Sequence, residues 1–377
     1  MPEQTQQNDI QHETQLVGTV LLLVQFDVCE EIRVDELAKK LGARTVASSG
    51  SPSTSPGYVR YERPPVVEPI DGIQLPNEHP LHGELKYYDY GVVSLLLQLP
   101  FAGNWDALIK LASHWIWDVD LGAHAERIVR EKVARALPCM IKPYTRYLSE
   151  DYLIFHIREI KGGEIGGSPT VSELIQRYGA SIAQVVRGDT GRLAESECNE
   201  VLQSRISYYA NDLAVIGWNA AFLYDSASGA ETAIQLLEYA NSQLLEFRHY
   251  DDFLTEELER VYTLLDEATG IFARWRLARS ATRLHTILLD VAELTEHADN
   301  AIKFLSDMFS ARLYKLAAQK VGVPDYKDLV TQKVRTAEEL YRFMVDQFNQ
   351  SRAFFLELTV VIILVIELVY LFHGRPF

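Results

Sequence analysis

The pattern of apolar and polar positions divides the chain into a strand-containing N-terminal part and a helical C-terminal part. Short apolar runs rich in Val, Leu, Ile and Tyr are typical of buried strands, and they occur at residues 16–28, 85–99 and 152–160. Helices are predicted between these strands, at 35–41, 104–115 and 123–137. Residues 16–168 are therefore predicted to form a small mixed α/β domain.

Three polar or proline-rich segments of this part are predicted to lack regular structure. Residues 1–15 are polar and predict a disordered tail. Residues 47–57 (ASSGSPSTSPG) predict a mobile loop, because Ser, Pro and Gly bury little apolar surface. Prolines recur through residues 64–83, which predicts an irregular, extended segment.

Helical periodicity dominates residues 169–322. Helices are predicted at 171–187 and 195–224, and no strand is predicted after Pro169. From Ala233 to Leu265, and again from Leu284 to Met308, apolar residues recur at alternating steps of four and three, which is typical of coiled coils. The break at 267–270 (EATG) predicts that the two runs fold into an antiparallel hairpin over residues 231–320.

Charged residues on this hairpin are candidates for partner binding. Arg276, Arg279 and Arg283 share one helical face of the second run, whereas the first run is acidic. The three arginines either pair with the acidic helix or present a basic stripe to a partner, and a paired or solvated face is the favoured interpretation. Asp251 is the one charged residue in the first seam. It either marks a position where the hairpin core is pinched or hydrated, which is the favoured interpretation, or fixes the register of the two helices.

A last helix is predicted over residues 323–377, and its apolar run is long enough to cross a membrane. The run FFLELTVVIILVIELVYLF, from Phe354 to Phe372, spans about 28 Å of helix, close to the ~30 Å hydrocarbon core of a bilayer. Glu357 and Glu367 interrupt it and are expected to face protein, for instance other copies of the helix. The alternative is a central helix buried in a soluble bundle.

Composition and charge narrow the function classes. The chain has 377 residues and a formal net charge of −16, which argues against direct sequence-specific binding of nucleic acid. Its three cysteines form no closely spaced pair, which favours a reducing compartment. The start of the chain has neither a secretory signal nor a presequence, so the bulk of the chain is expected on the cytoplasmic side of a membrane that it crosses once.

Known catalytic and metal-binding patterns are not found in the sequence. The turn GGEIGG at 162–167 lacks the lysine and the following helix of a phosphate-binding loop. Glu246 and His249 have the spacing of metal ligands, but a di-iron bundle needs a second such pair, so a surface pair on a polar helix face is the favoured interpretation. We therefore predict no enzyme activity, catalytic residue, metal or cofactor.

Three sequence blocks resemble the "required for meiotic nuclear division" family, which is built on a conserved domain of unknown function. The blocks are YYDYGVVSLLLQLP at 87–100, the segment 236–262 and the closing segment 352–368. The resemblance implies an α/β N-terminal domain, a helical C-terminal part and a C-terminal transmembrane helix. Mitochondrial members are inner-membrane proteins linked to translation. The most specific block contributes the candidate partner-binding residues Asn241, Arg248, Tyr250 and Asp251.

The expected fold is therefore α+β, with a small mixed domain, a coiled-coil hairpin and a transmembrane helix. The expected function is that of a membrane-anchored scaffold that forms a homo-oligomer and binds a protein or ribonucleoprotein partner. Two alternatives remain open. One is an enzyme or small-molecule sensor with a pocket in the N-terminal domain. The other is a soluble homo-oligomer in which the last helix is buried.

Overall fold

A computed structural model describes residues 14–42, 63–75, 80–162, 169–266, 279, 281–289, 291–292 and 307–373. Its main element is one mixed sheet of eight strands. The strands are β1 (Gln15–Ile32), β2 (Val66–Ile73), β3 (Leu81–Tyr87), β4 (Val92–Gly103), β5 (Met140–Lys161), β6 (Arg205–Ile206), β7 (Leu213–Ile216) and β8 (Ala220–Tyr224).

The sheet has the strand order β2-β3-β4-β1-β5-β8-β7-β6. Neighbouring strands are antiparallel except β5 and β8, which run parallel. Strand β1 lies between the two longest partners, and its residues from Val20 to Cys29 are all buried. A strand that is covered on both faces reads as a nearly continuous apolar run, which explains the sequence LVGTVLLLVQFDV.

Eight helices are defined in the described part of the chain, and polar caps fix several of their starts. The side chains of Asn104, Asp120 and Asp307 each accept a backbone N–H of the first helical turn, and Thr170 and Glu173 form a reciprocal capping box. The helices are α1 (Val34–Leu41), α2 (Trp105–Ser113), α3 (Leu121–Ala136), α4 (Val171–Arg187), α5 (Glu195–Gln203), α6 (Ala227–Asp266), α7 (Met308–Val321) and α8 (Val323–His373).

The two faces of the sheet are covered by different helices. On one face, residues of β1 such as Leu22 and Phe26 join the main apolar core with residues of α1 to α5. Trp105 of α2 stacks on Tyr178 of α4 in this core, with ring centroids 5.0 Å apart. On the other face, Leu245 of α6 packs on Val92 of β4 and on Tyr88, which follows β3. Helix α6 thus covers the side of the sheet that α2 to α5 leave open.

The predicted fold class is wrong because the sheet is much larger than the small mixed domain that we predicted. We predicted a small mixed domain that ends near residue 168 and helix at 195–224, but β6, β7 and β8 lie within this stretch and extend the sheet to eight strands. The runs LAVI and AAFLY are too short for their periodicity to distinguish a buried strand from a helix. Gly217 closes a tight hairpin between them, and its N–H donates to Ala220 O at 2.8 Å.

The predicted transmembrane helix at 354–372, and with it the tail anchor, is also wrong. In the part of the chain that the structure describes, no helix is long and apolar enough to cross a membrane. The apolar stretch of α8 is interrupted by the exposed carboxylates of Glu357 and Glu367, and a carboxylate inside the hydrocarbon core costs a few kcal/mol.

The chain divides into two compact units. The first comprises Met1–His249 and Ala298–Tyr326, and the second comprises Tyr250–His297 and Lys327–Phe377. In the first unit, the α6 residues that we predicted as half of a coiled coil pack on the sheet. In the second unit, the end of α6 packs with helical residues 281–289 and with α8. The core of this second unit contains Leu258, Val261, Ala281, Leu284, Ala337 and Met344. The predicted loop 47–57 and break 267–270 lie outside the described residues.

Candidate functional site

A row of polar side chains crosses the buried face of the sheet beneath α6. In the strand register, Lys86 of β3 pairs with Ser94 of β4, Ser94 pairs with Gln25 of β1, and Gln25 pairs with Glu150 of β5. Residues directly opposite each other on neighbouring strands point to the same face, so these four side chains form one line. We call Lys86, Ser94, Gln25 and Glu150 the polar row.

Helix α6 supplies the hydrogen-bond partners of the polar row. The carboxylate of Glu238 is 1% exposed; its Oε2 lies 2.6 Å from Lys86 Nζ and its Oε1 accepts from Ser94 Oγ at 2.6 Å. The main-chain oxygen of Glu238 accepts from Gln25 Nε2 at 3.0 Å. Further along α6, Arg248 forms an ion pair with Glu150, the last member of the polar row. These contacts align α6 with four strands.

Asp27, Glu246 and His249 form a second buried group, which we call the titratable cluster. Asp27 follows Gln25 on the same face of β1, between the apolar residues Val92 and Leu148 of the flanking strands. Its Oδ2 lies 2.7 Å from Nδ1 of His249, whose ring stacks on Tyr144 at a centroid distance of 4.8 Å. Glu246 lies one helical turn before His249 and is 7% exposed.

An irregularity in β5 brings Tyr144 to this cluster. The pairing of β1 with β5 shifts between Asp27 and Cys29, where the partners jump from Leu148 to Pro143. Just before this point Lys142 has a φ of 47°, a left-handed conformation that is rare for a residue with a side chain. Bulges re-aim side chains and are frequent beside functional sites.

Burial dominates the electrostatics of the titratable cluster. Loss of hydration raises the pKa of Asp27, which the hydrogen bond and charge of His249 oppose. The pKa of Glu246 is raised well above its usual range, first by burial and then by the negative charges of Asp27 and Asp89. Burial and the nearby Asp27 raise the pKa of the Cys29 thiol to about 12, so this thiol is not a reactive thiolate.

The structure places the predicted Glu246–His249 pair differently from our favoured interpretation. The pair does not lie on a solvated polar helix face, because Glu246 is buried and His249 is bonded to a strand residue. Among the described residues, no group of three or more His, Cys, Asp or Glu side chains is arranged to hold a metal ion. Asp27, Glu246 and His249 can each bind and release a proton within this buried network.

The other predicted partner-binding residues of α6 have separate positions. Of the four residues predicted on this helix, Asn241, Arg248, Tyr250 and Asp251, it is Arg248 that pairs with a residue of the polar row. Asn241 is buried and donates to the main-chain oxygen of Leu237 in its own helix, at 2.8 Å. In the second unit, Asp251 forms an ion pair with Lys333 at 2.6 Å, and Tyr250 is half-buried.

The three predicted arginines and the ends of the apolar run are also located. Arg283 pairs with Glu257 of α6 at 2.6 Å, Arg279 is exposed, and Arg276 lies outside the described residues. Glu357, Glu367 and Phe372 are exposed, and the side chain of Phe354 is outside the described set. The whole stretch 356–372 is exposed and almost entirely apolar; we call it the apolar surface.

A separate cleft of about 550 Å³ lies beside the exposed Trp117, between α4 and α5. Arg187 lines it, but its Nη2 is already 2.6 Å from both Glu197 and Glu200. The indole Nε1 of Trp117 donates to Gly188 O at 3.0 Å. Arg187 Nε has no hydrogen-bond partner within the described part of the chain, but the other polar groups named here are engaged within the chain, so the cleft gives less support to a ligand site than the buried network does.

Comparison with known proteins adds a family but no activity. A family described as the N-terminal domain of the uncharacterised protein MJ0711 matches residues 17–231, more than half of the chain. The chain belongs to this family. The MJ0711 N-terminal domain family thus covers all eight strands, including the polar row, and its match ends near the start of α6, before Glu238.

One curated relative can be compared directly. The uncharacterised protein MJ0711 of Methanocaldococcus jannaschii is 21% identical over 188 residues, which are 50% of this chain and 58% of the relative. The chain thus spans little more than half the length of this relative. No solved structure matches the chain. The resemblance to the "required for meiotic nuclear division" family is wrong, because the family that matches is that of MJ0711.

Proposed function

We propose that this protein is a non-enzymatic scaffold that assembles with other protein chains, first with copies of itself, through the apolar surface of α8. The observation that carries the proposal is the exposure of residues 356–372, all of whose side chains are exposed and nearly all of which are apolar. A helix that is apolar on every side is normally buried, because each exposed methylene group disfavours the solvated state. Large exposed apolar patches mark sites of association.

The spacing of residues within the apolar surface favours a second copy as the partner. Steps of three and four connect a seam formed by Leu358, Val361, Val365, Leu368 and Phe372. Identical seams pair in register, and Glu357 and Glu367 stay outside this one. Because the remaining positions are apolar too, we expect more than one neighbouring helix around each copy.

The proposal predicts an oligomer that depends on the seam. Sedimentation velocity of the full chain should give a mass above that of the monomer. The double substitution Val361→Glu and Leu368→Glu should yield a monomer, because a pair of carboxylates in an apolar interface costs several kcal/mol. Circular dichroism of the same samples reports whether the helices remain folded.

The control is Leu329→Glu, which places one carboxylate of the same kind at an exposed position of α8 outside the apolar surface. This variant should keep the mass of the unsubstituted chain. A monomeric unsubstituted chain, or an oligomer that persists in the double variant, would contradict the proposal. So would a full chain that stays dispersed only when lipid vesicles are added, because the partner would then not be protein.

A further inference from the structure

We propose that the titratable cluster is a pH-sensitive switch: a proton on Glu246 holds residues 246–249 of α6 on the sheet, and loss of that proton releases them. The proposal concerns the buried face of the first unit and does not depend on self-association through α8. It rests on the arrangement of three side chains that join one helix to one strand.

The geometry connects helix and strand through groups that change charge. Asp27 Oδ2 and His249 Nδ1 are 2.7 Å apart, and the aspartate is 3% exposed. Glu246 and His249 are three residues apart and therefore lie on the same side of α6. The carboxylate of Glu246 consequently enters the same low-dielectric space as that of Asp27, where like charges repel strongly.

The charged groups around Glu246 are mostly acidic. The negative charges of Asp27 on β1 and of Asp89 in the turn between β3 and β4 both disfavour ionisation of Glu246, and Glu246 in turn raises the pKa of the Cys29 thiol. The phenol of Tyr239, on α6 itself, is also near and has a pKa raised to about 12 by burial and by Asp89 and Glu246. Tyr144 of β5 faces His249.

The balance of charge decides which state is stable. When Glu246 is protonated, His249 can neutralise Asp27 and the buried site holds one ion pair. When Glu246 is ionised, the site holds two buried carboxylates and the single histidine His249, and excess buried charge is strongly destabilising. The part of α6 around Glu238 stays on the sheet in both states, because Lys86 and Ser94 bind the carboxylate of Glu238.

The direction of the pH effect follows from the raised pKa of Glu246. A carboxyl group that binds its proton more tightly in the closed state contributes stability at low pH. This contribution decreases as the pH rises above 4.5, the ordinary pKa of a glutamate, and it is lost once the pH exceeds the raised pKa. One proton is released on opening, so the opening constant grows about tenfold per pH unit within this window.

Amide hydrogen exchange of the full chain between pH 5 and 8 tests the switch. After correction for the intrinsic pH dependence of exchange, protection of peptides that cover residues 242–249 should fall about tenfold per pH unit and then level off. In Glu246→Gln, which has no ionisable carboxyl group at this position, the tenfold fall per pH unit should be lost, and only the pH dependence contributed by His249 should remain. Peptides from β7 and β8 should be unaffected in both proteins.

Two further variants make the test decisive. Glu231→Gln removes an exposed carboxylate from the same helix and should keep the unsubstituted profile. Asp89→Asn removes one of the charges that raise the pKa of Glu246. The total fall in protection should therefore be smaller in this variant. This prediction can be tested even if Glu246→Gln fails to fold. Equal profiles for the unsubstituted chain, Glu246→Gln and Asp89→Asn would overturn the proposal.

Discussion

Lys86 and Glu238 form an almost fully buried ion pair between the sheet and α6. The ammonium nitrogen of Lys86 lies 2.6 Å from Glu238 Oε2, and the two side chains are 12% and 1% exposed. The residues are far apart in sequence, so the pair exists only after the helix has packed on β3 and β4. The neighbouring carboxylate of Glu238 raises the pKa of Lys86 despite the opposing effect of burial. Lys86 therefore remains charged in the folded protein.

Removal of one partner of this pair is expected to destabilise the first unit. In Glu238→Leu, the charge of Lys86 loses its buried partner, and breaking such a pair costs about 3 kcal/mol. Glu84, whose Oε1 is 2.9 Å from the same ammonium, limits the loss. Urea unfolding followed by tryptophan fluorescence measures the change in the free energy of unfolding.

The double variant Lys86→Met and Glu238→Leu separates a charge effect from a packing effect. An apolar pair of similar volume leaves no uncompensated charge, so the double variant should recover most of the stability lost in Glu238→Leu. If the double variant is no more stable than Glu238→Leu, the loss arises from packing of α6 and not from the unpaired Lys86.

Part of the candidate site was visible in the sequence of β1. The run 16–28 was predicted as a buried strand, and Gln25 and Asp27 are its polar residues. Polar residues two positions apart on one face of a strand that is buried on both faces need partners, and this pattern indicates a buried polar network. The pattern alone does not locate the site, because the sequence does not show which distant residues supply the partners.

The partners on α6 were obscured by the heptad spacing of that helix. Leu237, Leu244 and Leu254 are buried as the seam suggests, but the first two lie where α6 covers a sheet and not a second helix. An apolar stripe has the same period in both arrangements. Glu246, a polar residue beside the stripe, was therefore interpreted as solvated, although a sheet is wide enough to bury it.

Substitution of Gly91 should disrupt the turn that carries Asp89 and Tyr90. Gly91 has a φ of +91°, and a Cβ atom there would lie 1.8 Å from the carbonyl oxygen of Cys29. In Gly91→Ala the turn must therefore move away from β1, which also weakens the 3.0 Å contact of Tyr90 Oη with Ser242 Oγ on α6. We expect a loss of about 3 kcal/mol or more in the free energy of unfolding, measured by urea denaturation.

Gly72→Ala is the matched control for this clash. Gly72 also has a positive φ, +71°, but no atom lies within 4 Å of the position that its Cβ would take. Its substitution should therefore show only the backbone strain, about 1–2 kcal/mol. Equal losses in the two variants would show that close approach to Cys29 is not what requires glycine at position 91.

His156 should make the first unit less stable in mild acid. The ring is 5% exposed and its Nε2 lies 3.0 Å from the main-chain oxygen of Asp225, just before α6. Burial lowers the pKa of His156, an effect that its hydrogen bond only partly offsets. The neutral ring is therefore favoured in the folded state, and its contribution to stability is present above pH 6.5 and is lost as the pH falls toward the lowered pKa.

His156→Gln keeps a side-chain N–H donor and removes the titration. We would measure the free energy of unfolding of both proteins in urea at pH 7.5, 6.5 and 5.5. Subtracting one value from the other at each pH cancels the opposing effect of Glu246. As the pH falls, the unsubstituted chain should lose stability relative to His156→Gln, by up to about 1.4 kcal/mol per pH unit within the window. A difference that stays constant over the three pH values would mean that His156 is as easily protonated in the folded chain as in the unfolded one.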